Sequence, residues 1–123
     1  MGMGIDFRSY AIVASGGFCG AVLRWIIDQQ IPSLAGTLVV NIIGCFFLGV
    51  FMYESIYIGA YSRGTRIFFG VGVIGAFTTF SALAVQSFEA GPALALGNLA
   101  ANLVLGLAAV WFGRYVITYK RWT

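Results

Sequence analysis

The chain has 123 residues, of which 60% are hydrophobic and only 9% are charged, with a net charge of +3. A soluble domain carries about 25% charged residues, and a chain this short cannot hide so much apolar surface from water. The lack of histidine excludes histidine metal sites, serine–histidine triads and histidine proton relays. The composition therefore predicts a single integral membrane domain.

Four apolar runs are each long enough for a transmembrane helix, which needs about 20 apolar residues. The predicted helices cover residues 9–28, 34–58, 66–88 and 92–118. Because the links between them are short, neighbouring helices are expected to run antiparallel. The predicted fold class is all-α, with residues 1–123 forming one four-helix membrane domain.

Basic residues are distributed unevenly between the two ends of this arrangement. The end that holds both termini and the second loop carries six of them: Arg8, Arg63, Arg66, Arg114, Lys120 and Arg121. The other end carries only Arg24. Because basic loops remain in the cytoplasm, both termini of this multi-pass protein are predicted to be cytoplasmic.

Uncharged polar residues recur along the helices, where each needs an internal partner or water. Three stripes result: Thr37 and Asn41, then Thr78, Thr79 and Ser81, then Asn98 and Asn102. Hydrogen bonds between helices account for any single stripe, but three together predict a polar track across the membrane. Amide and hydroxyl donors without a mid-span carboxylate suit a small anion or a neutral solute.

The third predicted helix contains residues that disfavour a continuous helix. Gly70, Gly72 and Gly75 precede a Thr-Thr pair, and glycine and threonine are weak helix formers. We expect a break near residues 75–79, close to the middle of the membrane. Freed carbonyls there would suit a cation, and the start of the following half-helix would attract an anion.

Four motifs follow one another over nearly the whole chain. They are Gly20-Ala-Val-Leu-Arg24-Trp25, Gly36-Thr37-Leu-Val-Val-Asn41-Ile-Ile-Gly44, Gly72-Val-Ile-Gly75-Ala-Phe-Thr78-Thr79-Phe80-Ser81 and Asn102-Leu-Val-Leu-Gly106-Leu. With these motifs the chain resembles the Fluc, or CrcB, family of fluoride channels. The resemblance implies an antiparallel dimer in a prokaryotic cell membrane that exports cytoplasmic fluoride by passive flux. No nucleic-acid partner is expected.

The resemblance also implies roles for individual residues. Phe80 matches a phenylalanine whose ring edge contacts fluoride, and Arg24 matches a basic residue at the pore vestibule. Asn41 matches a pore-lining asparagine. The backbone carbonyls of Gly75 and Thr78 match the site of a structural sodium ion at the centre of the dimer. The remaining pore candidates are Thr37, Thr79, Ser81, Asn98 and Asn102.

The third-helix motif departs from the family pattern. Ala82, Leu83, Ala84 and Gln86 stand where the family usually has Thr, Phe, Ser and Glu. A second pore phenylalanine and a vestibule carboxylate are thus missing. The strong basic bias disfavours insertion in both orientations. The partner is therefore either a second copy of this chain or, as the bias favours, a sibling subunit of opposite orientation.

Two other functions fit part of the pattern. A small multidrug-resistance exporter shares the size and the four helices, but its chemistry needs a carboxylate in the first helix, where this chain has Arg24. A non-transporting membrane subunit would use the polar stripes for packing alone. An enzyme is disfavoured because no nucleophile is paired with a base.

Overall fold

The computed structural model describes residues 6–122, so residues 1–5 and 123 of the predicted domain lie outside the described residues. Four helical spans in this range are long and apolar enough to cross a membrane: Phe7–Gln30, Ser33–Ile58, Arg63–Ala90 and Pro92–Trp122. The described part of the chain contains no β-strand.

Helix α1 (Phe7–Gln30) begins before the predicted boundary because Asp6 caps it. The Asp6 carboxylate accepts hydrogen bonds from the Ser9 hydroxyl and from the Ser9 N–H, and it pairs with Arg63 at 3.3 Å. These bonds, chiefly from Ser9, lower the pKa of Asp6. The resulting stabilisation is present above the unfolded-state pKa and is lost as the pH falls through the lowered one. The Asp6–Arg63 pair also places the start of α1 and the start of the third span at the same end of the bundle.

Helix α2 (Ser33–Tyr53) continues through a π-helical turn, Glu54–Ile58. Gly59 ends it with φ of +66°, a left-handed conformation that glycine adopts without strain. Beyond this turn, the Tyr61 hydroxyl donates to the Glu54 carboxylate, which raises the pKa of Tyr61.

Helix α3 covers residues 63–77 and changes its hydrogen-bond spacing along the way. After Arg63–Arg66 it becomes π-helical over Ile67–Ile74 and ends as Gly75–Phe77. The π-helical part was not predicted, because hydropathy detects an apolar run but not the spacing of its hydrogen bonds. It packs along α1, where a Cβ at Gly16 or Gly20 would overlap backbone carbonyls of α3.

Helices α4 (Ser81–Ala90) and α5 (Pro92–Trp122) complete the fold. Gly91, with φ of +88°, joins them. Helix α5 has 31 residues and is about 46 Å long at 1.5 Å per residue. A bilayer core is roughly 30 Å thick, so α5 is longer than the core is thick. It packs extensively along α2.

Candidate functional site

The third span is interrupted between α3 and α4. Thr78, directly after α3, is extended, with φ of −76° and ψ of 158°. In a continuous α-helix the N–H of Thr79 would donate to the carbonyl of Gly75. It donates instead to Oδ1 of Asn41, on α2, at 2.8 Å. A side chain from a neighbouring helix thus takes the place of the helical hydrogen bond.

The interruption leaves backbone groups without partners on both of its sides. On the α3 side, the carbonyl groups of residues 75–78 accept no hydrogen bond from any described residue. On the α4 side, the N–H groups of Phe80 and Ser81 donate none within the described chain. The next N–H, that of Ala82, donates to the Thr79 hydroxyl at 3.2 Å. Partial negative and partial positive charge therefore lie within a few residues of each other.

Asn41 clamps the backbone of Thr79. Its Nδ2 donates to the Thr79 carbonyl at 3.0 Å and to Oδ1 of Asn102, also at 3.0 Å. Its Oδ1 accepts the Thr79 N–H. An asparagine amide has two hydrogens, so Asn41 uses both within the subunit.

A hydrogen-bond chain continues from Asn41 into α5 and back to α4. Asn102 donates to the carbonyl of Asn98 at 2.9 Å and to its Oδ1 at 3.2 Å. Asn98 donates to the Ser87 hydroxyl at 2.9 Å. The three members beyond Asn41 are all buried. Because the bonds run in one direction, each polarises the next.

Ser87 was missed in the sequence analysis. A signal for it exists, since it lies four residues after the buried Leu83 and so shares the inward face of α4. A buried hydroxyl on that face needs a partner from another helix. Asn98 supplies it.

Phe80 lies at the interruption, and its side chain is 77% exposed in the single subunit. It borders a groove of about 480 Å³ between α2, α3, α4 and α5. The polar residues lining this groove are Asn41, Thr78, Thr79 and Asn102. Leu83, at the position of the missing second phenylalanine, is buried and lines the same groove.

A second groove, of about 490 Å³, contains Arg24. It also contains Asp28, Thr79, Ser81 and Gln86. The Oε1 atom of Gln86 is buried and has no hydrogen-bond partner among the described residues. Thr79 lines both grooves, so the Arg24 groove and the Phe80 groove both border the interruption.

The structure brings most of the predicted site residues together. Asn41, Thr79, Asn98 and Asn102 share one hydrogen-bond chain, and the Ser81 and Thr79 hydroxyls lie 3.3 Å apart. Thr37, one turn before Asn41, is 3% exposed and is not a member of this chain. Gly75 is exposed on the outside of α3.

Comparison with known proteins identifies the family. Residues 11–114 match the family described as CrcB-like protein, Camphor Resistance (CrcB). The chain belongs to this family. The match includes every candidate site residue, from Arg24 to Asn102.

Relatives of this CrcB-family chain carry a functional name. Fluoride-specific ion channel FluC 1 of Methanospirillum hungatei is 49% identical over 114 residues, which cover 93% of this chain and 81% of the relative. Fluoride-specific ion channel FluC 2 of Methanosarcina acetivorans is 47% identical over 106 residues, covering 86% and 84%. FluC 1 of Haloarcula marismortui is 37% identical over 113 residues, covering 92% and 88%. Four apolar spans and a channel family indicate a multi-pass membrane protein.

Proposed function

We propose that this chain forms a fluoride-selective channel through which cytoplasmic fluoride leaves the cell passively. The observation that carries the proposal is the start of α4. There the N–H groups of Phe80 and Ser81 donate no hydrogen bond within the described chain, next to the exposed Phe80 ring and to the Thr79 and Ser81 hydroxyls. The names of the relatives support fluoride as the ion that these donors meet.

The chemistry of these groups suits a small anion that has lost its water. Fluoride in a low-dielectric site needs donors to replace its hydration shell. The groove offers N–H and O–H donors and the positive rim of an aromatic ring. Arg24, in the adjoining groove, raises the local concentration of anions before they reach the interruption. The proposed path runs from the Arg24 groove, past Thr79 and Ser81, to Phe80.

Two alternatives explain less of the structure. A proton-coupled drug exporter needs a carboxylate within the first helix, where α1 has Arg24 and where Asp28 lies near the helix end. A non-transporting subunit would account for the buried bonds between Asn102, Asn98 and Ser87, which resemble ordinary contacts between helices. It would not account for the donors at the start of α4.

The α3 side of the interruption fits a small cation. The carbonyls of Gly75 and Thr78 accept no hydrogen bond from the described residues, and they lie at the negative end of α3. Backbone carbonyl oxygens are the ligands that such ions prefer in proteins. We therefore propose that Gly75 and Thr78 would hold a structural sodium ion. Its positive charge would offset the partial negative charge of these carbonyl oxygens.

The proposed assembly is an antiparallel dimer, with the interruption of the third span near mid-membrane. Gly75 and Phe80 are exposed in the single subunit, as expected if a partner covers the interruption. The basic bias favours a sibling of opposite orientation over a second copy. One organism among those of the relatives, Methanosarcina acetivorans, has both FluC 1 and FluC 2. Both termini of this chain would then face the cytoplasm.

Growth of a fluoride-sensitive bacterium tests this function in cells. The host would lack its own fluoride exporters and express this chain, alone or with a family member of opposite charge bias. We expect restored growth in fluoride medium and unchanged growth in chloride medium. Failure of both expressed forms to protect a host that inserts them in its membrane would argue against fluoride export.

A further inference from the structure

A residue that binds an anion through its side chain needs a free N–H or O–H donor. Asn41 has no such free donor within the described chain. Both hydrogens of its amide are used, one by the Thr79 carbonyl and one by Asn102. We propose that Asn41 is a positioning residue: its side-chain amide pairs with both backbone groups of Thr79 and thereby holds the third span open. The proposal deepens the proposed function and rests on it for its relevance to permeation.

The orientation of the Asn41 amide follows from its partners. The Thr79 N–H can only donate, so the atom 2.8 Å from it must be the acceptor Oδ1. The opposite orientation would set two donors against each other at that distance. It would also set Oδ1 against the Thr79 carbonyl oxygen. The assignment of Nδ2 and Oδ1 is therefore determined by the backbone of Thr79.

The clamp prevents α3 from continuing into α4. If α3 continued, the Thr79 N–H would donate to the Gly75 carbonyl, and the Thr79 carbonyl would accept from the N–H of Leu83. Asn41 occupies both groups of Thr79. The Gly75 carbonyl is left without its helical donor as a direct consequence.

One side chain therefore controls both kinds of backbone group that lack a hydrogen-bond partner. By holding Thr79, Asn41 leaves carbonyls without donors before the interruption and amides without acceptors after it. Asn102 has a lesser part, because it fixes the second hydrogen of Asn41 but makes no bond to Thr79. Asn102→Ala is thus a matched control, since it removes one bond of Asn41 and keeps the two at Thr79.

Nuclear magnetic resonance of the full-length protein in lipid nanodiscs tests the proposal. The protein carries ¹³C,¹⁵N-labelled threonine and contains no fluoride, and Thr79→Ser assigns the Thr79 signals by their loss. In Asn41→Ala we expect the Thr79 amide proton signal to change, because the Thr79 N–H exchanges the Asn41 Oδ1 acceptor for the Gly75 carbonyl. The Thr78 Cα and Cβ shifts should move from extended towards helical values. Asn102→Ala should leave both sets of signals close to those of the unmodified protein.

Unchanged Thr78 and Thr79 signals in Asn41→Ala would overturn the proposal, as would helical Thr78 shifts in the unmodified protein.

If Asn41→Ala does not fold, Asn41→Asp replaces it, because a neutral carboxyl group still offers an acceptor to the Thr79 N–H. That variant should keep the extended Thr78 shifts, and helical ones would contradict the proposal. Since no fluoride is present, a failure of fluoride transport would leave these results unaffected.

Discussion

Phe80 and Phe88 are both exposed phenylalanines in the second half of the third span, at 77% and 89%. They differ in their surroundings. Phe80 borders the groove at the interruption, next to Thr79, whereas Phe88 lies two turns further along α4 and is not among the residues that line the groove. The proposed role of Phe80 in contacting fluoride therefore rests on its position and not on its exposure.

Phe80→Ala should abolish fluoride flux, because the substitution removes the ring edge that contacts fluoride. It should leave assembly intact, because a phenylalanine side chain makes no hydrogen bond that the substitution could remove. The measurement is fluoride efflux from liposomes, with size-exclusion chromatography as the check on assembly. Phe88→Ala is the control and should conduct like the unmodified protein. Full flux through Phe80→Ala would remove Phe80 from the path.

At the residue scale the sequence predicted candidate side chains but not how they bond. Helical spacing is enough to place Asn98 and Asn102 on one face. It does not say that Asn41 reaches the backbone of Thr79, because that contact joins residues 38 positions apart. Ser87 was not predicted for the same reason, since its hydrogen bond comes from Asn98 on another helix.

Helices α2 and α5 pack closely against each other along their glycines. A Cβ at Gly113 would overlap the Phe46 carbonyl oxygen, and a Cβ at Gly49 would overlap that of Val110. The absence of these Cβ atoms lets the two backbones approach. The Asn41–Asn102 bond crosses the same pair of helices, so their separation affects the site directly.

Gly113→Ala should destabilise the subunit by about 1–3 kcal/mol, because an added methyl group would force the two backbones apart. Thermal unfolding in detergent measures the effect. Gly97→Ala, on the same helix, is the matched control, since a Cβ there meets nothing within 4 Å. Equal melting temperatures for the two variants would contradict the packing argument.

The elements themselves were largely predictable, with two exceptions that have physical causes. Apolar runs located the four spans. The π-helical part of α3 was not foreseen, because α- and π-helices differ in hydrogen-bond spacing and not in hydropathy. The length of α5 was underestimated because its last turns, with Lys120 and Arg121, are polar.

At the scale of the whole molecule, the contacts agree with a bundle whose basic residues collect at one end. Arg63 pairs with Asp6 at the N-terminus, and the Arg114 guanidinium lies 5.9 and 5.7 Å from the rings of Tyr53 and Tyr57. The first contact joins the start of α1 to the start of α3, and the other two join the end of α2 to the last third of α5. Such an asymmetric molecule should insert in one orientation.

A C-terminal tag should be reached by a membrane-impermeant label only after the cells are permeabilised, because the basic end stays in the cytoplasm. Substituting Lys120 and Arg121 by Gln should weaken this preference, since it removes two of the six basic residues at that end. Equal labelling from both sides for the unmodified chain would contradict a single orientation. It would favour a dimer of two identical copies.

We propose that this chain conducts fluoride. Efflux from liposomes that contain the purified chain, alone and combined with a family member of opposite charge bias, tests it most directly. A fluoride electrode and a chloride electrode would follow parallel samples. We predict fast fluoride efflux with chloride retained in at least one of the two preparations. Retention of fluoride in both, or equal loss of fluoride and chloride, would contradict the claim.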